Sequence, residues 1–231
     1  MNGIEAKVID NIQRTHNVRS VRVELKEPAG FQAGQYMYVT IDNDITLSRY
    51  LSISNSPTET GFLEFTKKIT DSDFSKRVIS LEPGELIHIK YPLGSFVYDE
   101  SFSKIAFLSG GIGITPIRSI CKYLIDSKKD VDVVLLYGNR SSGDIVFRED
   151  FTGLSKNSAA LKVVHILEDT EDEKFKRGRI DSQLVKELIP DYLERKFYIC
   201  GPPAMVSAMH GMLQEELVVS EQNVITENFE G

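Results

Sequence analysis

Apolar and polar residues alternate along the first hundred positions. Val18-Arg-Ser-Val-Arg-Val-Glu24, Tyr36-Met-Tyr-Val-Thr-Ile41, Gly61-Phe-Leu-Glu-Phe-Thr66 and Leu86-Ile-His-Ile-Lys90 place a β-branched, aliphatic or aromatic residue at about every second position. That period, with those residue types, predicts half-buried antiparallel strands. Turn signals separate them: Pro28-Ala-Gly30, Ala33-Gly34, Glu82-Pro-Gly84 and Pro92-Leu-Gly94. One helix is predicted from about Asp73 to Ser80. Several short strands joined by close turns predict a small antiparallel β-barrel over residues 1–99.

Beyond Ser101 the rhythm changes to strands alternating with helices. Strands are predicted at Lys104–Leu108, Val131–Tyr137, Leu161–Leu167, Lys196–Cys200 and Asn223–Glu227. Helices are predicted at Pro116–Asp126, Phe147–Leu154, Ser182–Leu188 and Pro203–Glu216. This order predicts an α/β domain over residues 100–231, an open parallel sheet with helices on both faces. The polar stretch Asp99–Ser103 marks the boundary.

Composition narrows the function classes. The chain has 231 residues, room for two small domains. Its net charge is −7 and it has no long basic run, which argues against nucleic acid as a partner. The longest apolar runs are strand-sized, so no membrane span is expected. The first residues lack the basic flank and apolar centre of a signal peptide, and a cytoplasmic location is expected. The only cysteines are Cys121 and Cys200, too few to ligate an iron–sulfur cluster, and no Cys/His spacing suits zinc. His16, His88, His165 and His210 are scattered, and no metal site is expected.

The chemistry concentrates at turns. The run Ile105-Ala-Phe-Leu108 breaks into Gly110-Gly111-Ile112-Gly113, followed by Thr115 at an expected N-cap and Pro116 at the first helical position. A strand, a glycine turn and a helix start aim free backbone N–H groups at one point and suit a phosphate. Tyr198-Ile-Cys-Gly-Pro-Pro203 repeats the strand-to-turn-to-helix pattern. Two such strand ends in one half suggest the carboxyl edge of a parallel sheet with a ligand across it. In the first half, Arg49-Tyr-Leu-Ser-Ile-Ser54 offers a guanidinium for a phosphate and a small hydroxyl residue for a planar ring.

The order barrel, Arg-x-x-Ser, Gly-Gly-x-Gly-x-Thr-Pro, Cys-Gly-Pro-Pro, Glu-x-Phe resembles the ferredoxin–NADP reductase superfamily of flavoproteins, over nearly the whole chain. The resemblance implies FAD, with FMN the less favoured alternative, on the barrel and NADH or NADPH on the parallel domain. It implies hydride transfer from the nicotinamide to the flavin. Electrons then pass to a separate acceptor: a ferredoxin, a flavodoxin, an oxygenase component or free flavin. Arg49, Tyr50, Leu51, Ser52 and Ile53 would hold the flavin, with Arg49 on its pyrophosphate and Ser52 near N5. Thr66 and Lys67 are counted with them, and Ser75 and Lys76 match a second pyrophosphate contact. Gly110, Gly111, Gly113, Thr115 and Pro116 match the turn for the nicotinamide nucleotide's pyrophosphate, and Arg140 falls on its adenosine side. Cys200, Gly201 and Pro202 match the segment against the nicotinamide. Glu227 matches a carboxylate implicated in proton handling, and Phe229 an aromatic cover for the flavin. Ser52, Cys200 and Glu227 are the expected catalytic residues.

Two departures from the family pattern stand out. Leu51 replaces the usual flavin-stacking tyrosine, and Thr70-Asp-Ser-Asp73 stands where a glycine often precedes the pyrophosphate-binding helix. Asp144 and Glu149 near Arg140 favour NADH over NADPH. A reductase of free flavin is the enzyme alternative. An electron-transfer or regulatory subunit, active only within a larger redox complex, is the alternative of another class.

Overall fold

Alternating burial builds the first domain. The computed structural model describes residues 3–25 and 30–228, so Pro28 of the first expected turn lies outside it. Strands β1 (Ile4–Thr15), β2 (Val18–Glu24), β3 (Tyr36–Thr40), β4 (Ser48–Ser52), β5 (Phe62–Lys68) and β6 (Leu86–Leu93) pair in the order β4-β3-β6-β1-β2-β5. Every pair is antiparallel. A bridge between Ile53 and Phe65, with the Ser54 amide donating to Glu64 O at 2.8 Å, joins the two outer strands and closes the barrel. Closure removes the unpaired edges that an open sheet of this size would expose. Val8, Val21, Met37, Val39, Ile53 and Phe65 fill the interior. Helix α1 (Asp73–Ser80) plugs one end with Phe74 and Val78, and is capped by Ser72, whose Oγ accepts from the Ser75 amide at 3.3 Å.

The second domain is the expected open parallel sheet. Strands β7 (Lys104–Gly110), β8 (Asp132–Asn139), β9 (Leu161–Leu167), β10 (Lys176–Arg177), β11 (Lys196–Gly201) and β12 (Val224–Asn228) lie in the order β10-β9-β8-β7-β11-β12. Helices α2 (Ile114–Asp126) and α3 (Arg148–Asn157) cover one face. Helices α4 (Ser182–Leu188) and α5 (Pro203–Gly211) cover the other. Because both faces are covered, the central strands are apolar on both sides: Ile105, Phe107 and Leu135 face one layer, Ala106, Leu108 and Val134 the other.

Two local expectations change. A 3-10 turn at Gly111–Gly113 runs without a break into α2, so the helix starts at Ile114 rather than after Thr115. Thr115 is therefore inside the helix and its Oγ1 donates to Ile112 O at 3.1 Å instead of capping. Gly113 already has φ −59° and ψ −9°, so the helical conformation begins in the turn itself. The segment expected as one helix to Glu216 widens into a π-helical turn at Met212–Glu216.

The domains share apolar packing. Val18, Ala33 and Phe96 of the first half join the cluster built by Ile117, Ile120 and Tyr198 of the second. The Tyr198 hydroxyl accepts from the Asp99 amide at 2.9 Å and donates to Val97 O at 3.2 Å, pinning the connecting segment. Gly34 lies at this seam with φ +100°; a Cβ there would stand 2.0 Å from Phe96 O and 3.0 Å from Ile120 Cδ1. The obstacle is backbone, which cannot swing aside. Gly34→Ala is therefore expected to lower stability by about 2 kcal/mol or more. Gly30→Ala, where a Cβ meets nothing within 4 Å, is the control and is expected to stay within about 0.5 kcal/mol. Equilibrium denaturation of both variants checks this, and equal midpoints would contradict it.

Candidate active site

The sheet order sets the place of the site. From β7 the chain proceeds through β8 to β9 on one side, then returns to β11 on the other. The carboxyl ends of β7 and β11 therefore flank a topological switch point, where an open sheet leaves a crevice. The Gly110–Gly113 turn ends β7, and Cys200-Gly201-Pro202 ends β11. The two segments pack main chain against main chain: a Cβ on Gly113 would lie 2.2 Å from Cys200 O, and one on Gly201 would lie 3.4 Å from Gly110 N. Only residues without side chains allow that approach. The Tyr137 hydroxyl, donating to Gly111 O at 2.9 Å, holds the turn from below.

The barrel supplies the facing wall. Cα atoms of β5 come within 8 Å of those in the Gly111–Gly113 turn. A crevice of about 830 Å³ runs between the domains, lined by Gly110, Gly111, Pro202 and Arg140 on one side and by His16, Asn17 and Lys68 on the other. That volume suits a small-molecule cofactor. Gly113, Thr115, Pro116 and Cys200 are buried behind this lining. They shape the wall and do not form its surface.

The residues of β4 divide between two faces. Register pairs Leu51 with Met37 and Tyr50 with Tyr38. Leu51 is buried in the barrel core beside Ile53, and Tyr50 is 66% exposed, packed on Tyr38 and Tyr36 at ring distances of 4.7 and 5.6 Å. Arg49 lies over the Phe74 ring and donates to Ser48 O at 2.7 Å. Lys67 is close enough that burial, then the charges of Arg49 and Lys68, hold its ammonium pKa below the usual value. Among the described residues neither Arg49 nor Lys67 has a carboxylate partner. Two uncompensated cations beside a barrel opening fit a diphosphate. Ser52 Oγ is buried with no hydrogen-bond partner, and such an atom costs free energy until an acceptor or donor meets it. Together these features fit a flavin dinucleotide.

Other expected contacts are already engaged. Thr66 Oγ1 lies 2.7 Å from Ser20 Oγ and 2.8 Å from Ser54 Oγ, inside the barrel. Ser75 Oγ accepts from the Thr70 amide at 3.2 Å within the helix cap. Lys76 pairs with Asp73 at 3.1 Å, both exposed. Phe229 lies outside the described residues. The sequence reading missed Lys68 and Asn139, which line the crevice, and Met205, whose thioether covers Gly110 and Gly201. Lys68 is the next residue after Lys67, Asn139 is the residue before Arg140, and Met205 follows the Cys-Gly-Pro-Pro segment by two. Local spacing offered the only signal for them.

Burial dominates the titration of the strand ends. Cys200 faces Glu227 in register on β12. Burial, with the Glu227 charge second, pushes the Cys200 thiol well above its usual pKa, so it is neutral at physiological pH and no nucleophile. Burial raises Glu227 to about 7, so its carboxyl is about half protonated near neutrality.

Comparison with known proteins places this geometry in a family. Residues 5–98 match the oxidoreductase FAD-binding domain and residues 107–211 the oxidoreductase NAD-binding domain. The phenol hydroxylase P5 protein of Acinetobacter pittii is 30% identical over 97% of this chain and 65% of its own length. The flavohemoprotein of Bacillus subtilis is 31% identical over 80% of this chain and 48% of its own length. The chain thus spans about half to two thirds of these curated relatives. The cytochrome P450 reductase GcoB of Amycolatopsis shares the fold, with a TM-score of 0.87 at 23% identity over 99% of this chain and 70% of its own. The chain belongs to the ferredoxin–NADP reductase family, and its two halves are FAD- and NAD-binding domains.

The raised Glu227 pKa carries a stability consequence. Below pH about 4.5 the carboxyl is protonated in folded and unfolded chains alike and has no effect. Between there and pH about 7 the unfolded chain ionises first, so stability falls as pH rises. Above pH 7 the cost is complete, at most about 3 kcal/mol. Glu227→Gln removes it. Thermal unfolding at pH 5 and pH 8.5 should show a gain in Tm for the variant at the higher pH only. An equal shift at both would contradict the assignment.

Proposed function

We propose that this chain oxidises NADH in the crevice between its domains and passes the electrons, by way of FAD on the barrel, to a separate acceptor protein. One observation carries the reading. The glycine turn and the end of β11 meet at the switch point of the parallel sheet, directly against a barrel strand flanked by unpaired cations and a buried, unpartnered Ser52 hydroxyl. Bound there, FAD would accept a hydride from the nicotinamide and release electrons singly.

The side chains serve binding and orientation. Arg49 and Lys67 neutralise the FAD diphosphate from the barrel. Leu51, turned into the barrel core where family members more often place an aromatic ring, offers the flavin no phenol hydrogen bond. Ser52 Oγ hydrogen-bonds the ring edge near N5 and gains the partner it lacks. Gly111, with open space at its Cβ position, admits the coenzyme diphosphate to the main chain, with Arg140 on the adenosine side. Neutral, small Cys200 leaves room for the nicotinamide. Glu227, half protonated near neutrality, can take up or give a proton at its carboxyl beside Cys200.

Charge around the crevice favours NADH. Asp144, Glu168, Asp181 and Glu216 line it, and Arg179 is already paired with Glu168 at 2.7 Å. On the parallel-sheet side of the crevice only Arg140 lacks a carboxylate partner among the described cations, so a 2′-phosphate there would meet mostly carboxylates, whereas a ribose hydroxyl can donate to one of them. For the acceptor, relatives named phenol hydroxylase P5 protein and glycine betaine monooxygenase reductase subunit support an oxygenase component.

Anaerobic stopped-flow mixing of the FAD-loaded chain with NADH or NADPH tests the reading at the flavin absorbance. Faster reduction by NADH is expected, and a chain that binds no FAD would overturn it. Ser52→Ala should keep its FAD but slow reduction about tenfold, the value of one lost hydrogen bond. An unchanged rate would remove Ser52 from the mechanism.

A further inference from the structure

Helix α2 begins at the glycine turn, and five residues beyond Gly113 it carries Arg118, a guanidinium that is only 5% exposed. Its Nη1 donates to Ser54 O at 2.9 Å and to Glu59 Oε2 at 2.7 Å, and its Nη2 to Glu59 Oε1 at 3.2 Å. All three acceptors belong to the barrel, on the loop that leaves β4 two residues after Ser52. From behind, Asp150 of α3 accepts from Nε at 2.7 Å and fixes the group within its own domain. The Phe147 ring lies under the guanidinium at 5.1 Å, and Arg14 of β1 stacks on the same ring at 5.1 Å. Next to Arg118, Ser119 Oγ donates to Asn55 O at 2.6 Å.

The loop it grips is itself rigid. The Asn55 side chain ties the loop to Ser56 O, Glu59 O and Phe62 O and accepts from the Glu64 amide at 2.8 Å. Ser54 Oγ donates to the buried Glu64 carboxylate at 2.9 Å, which also takes Arg14 and Arg22. Burial alone would raise the Glu59 pKa, yet hydrogen bonds and charge from Arg118 hold it below the usual range.

We propose that Arg118 is a positioning residue: a fork from the coenzyme helix, closed on Ser54 and Glu59 of the flavin loop, that sets the distance between the two bound rings. The inference rests on the NADH-to-FAD reading above. Apolar packing of Phe96 and Ala33 on Ile117 and Ile120 already joins the domains, but such contacts tolerate sliding. Four directed bonds on one planar group, three of them to the barrel, do not. A buried charge cluster is a weak source of stability because its desolvation offsets its attraction, so fixing geometry is the better account of its presence. Reaction between the rings demands alignment to a few tenths of an ångström, and small misplacements far from the chemistry are costly.

The test uses the FAD-loaded chain with Arg118→Lys, which keeps the charge and loses the fork, and Glu59→Gln, which keeps an acceptor and loses the charge. Ser52-side groups and the coenzyme lining stay intact in both. The limiting rate of flavin reduction at saturating NADH should fall at least tenfold in Arg118→Lys and less in Glu59→Gln. The long-wavelength absorbance of the stacked nicotinamide–flavin pair should weaken in the same order. FAD content and the Kd for NADH should stay within twofold of the parent, as should the rate of reduction by dithionite, which needs no ring alignment. A parental rate and absorbance in Arg118→Lys would overturn the proposal. So would a rate loss matched by equal loss of bound FAD in both variants, which marks a merely structural role. Failure of NADH to reduce the parent chain would refute the functional reading itself, a result that no variant is needed to see.

Discussion

The close meeting of two main chains at the centre of the α/β sheet governs the rest of this structure. The turn after β7 lies on the end of β11 so tightly that a single methyl group on Gly113 would fall 2.2 Å from the Cys200 carbonyl oxygen. That contact fixes where α2 begins and in which direction it runs. The helix direction in turn carries Arg118 and Ser119 to the barrel loop at Ser54–Glu59, and Ile117 and Ile120 to Phe96 and Ala33. One backbone approach therefore orients the second domain on the first.

Charge is distributed to match. The chain is acidic overall, at −7, yet the barrel opening presents Arg49 and Lys67 without carboxylates while Arg118, Arg77 and Arg195 elsewhere are fully paired. Ion pairs engage Arg77, Arg118 and Arg195 and leave Arg49 and Lys67 without a carboxylate among the described residues. Burial performs the complementary task at the strand ends: it keeps the Cys200 thiol neutral and brings Glu227 to a pKa of about 7. A small neutral residue buried behind the crevice wall adds no fixed charge there.

Much of this was legible in the amino-acid order, for identifiable reasons. The barrel strands and the α/β alternation follow from side-chain periodicity, and α1 and α4 match their predicted bounds because Ser72 and Asp181 mark their starts. The paired turns at Gly110 and Cys200 were visible because close approach leaves glycine as its trace. The second half of β1 was not, since Asp10 to Arg14 carries one apolar residue, Ile12, and pairs with β2 without an apolar period. The helical start at Ile114 was hidden because a glycine turn can adopt helical dihedrals with no cap residue to announce it. Lys76 matches a phosphate contact by position, and in the fold it lies at the surface 3.1 Å from Asp73. Arg118 gave no sign at all: its barrel partners are 59 to 64 residues away along the chain, and only folding brings them together.

We propose one flavin on the barrel and one nicotinamide on the parallel sheet, facing each other across a common crevice. A crystal structure of the chain with FAD and NAD⁺ bound tests it most directly. Expected are the FAD diphosphate on Arg49 and Lys67, the flavin ring beside Ser52, and nicotinamide C4 within about 3–3.5 Å of flavin N5. Density placing both nucleotides on the same domain, or leaving protein side chains between the two rings in every copy, would contradict it.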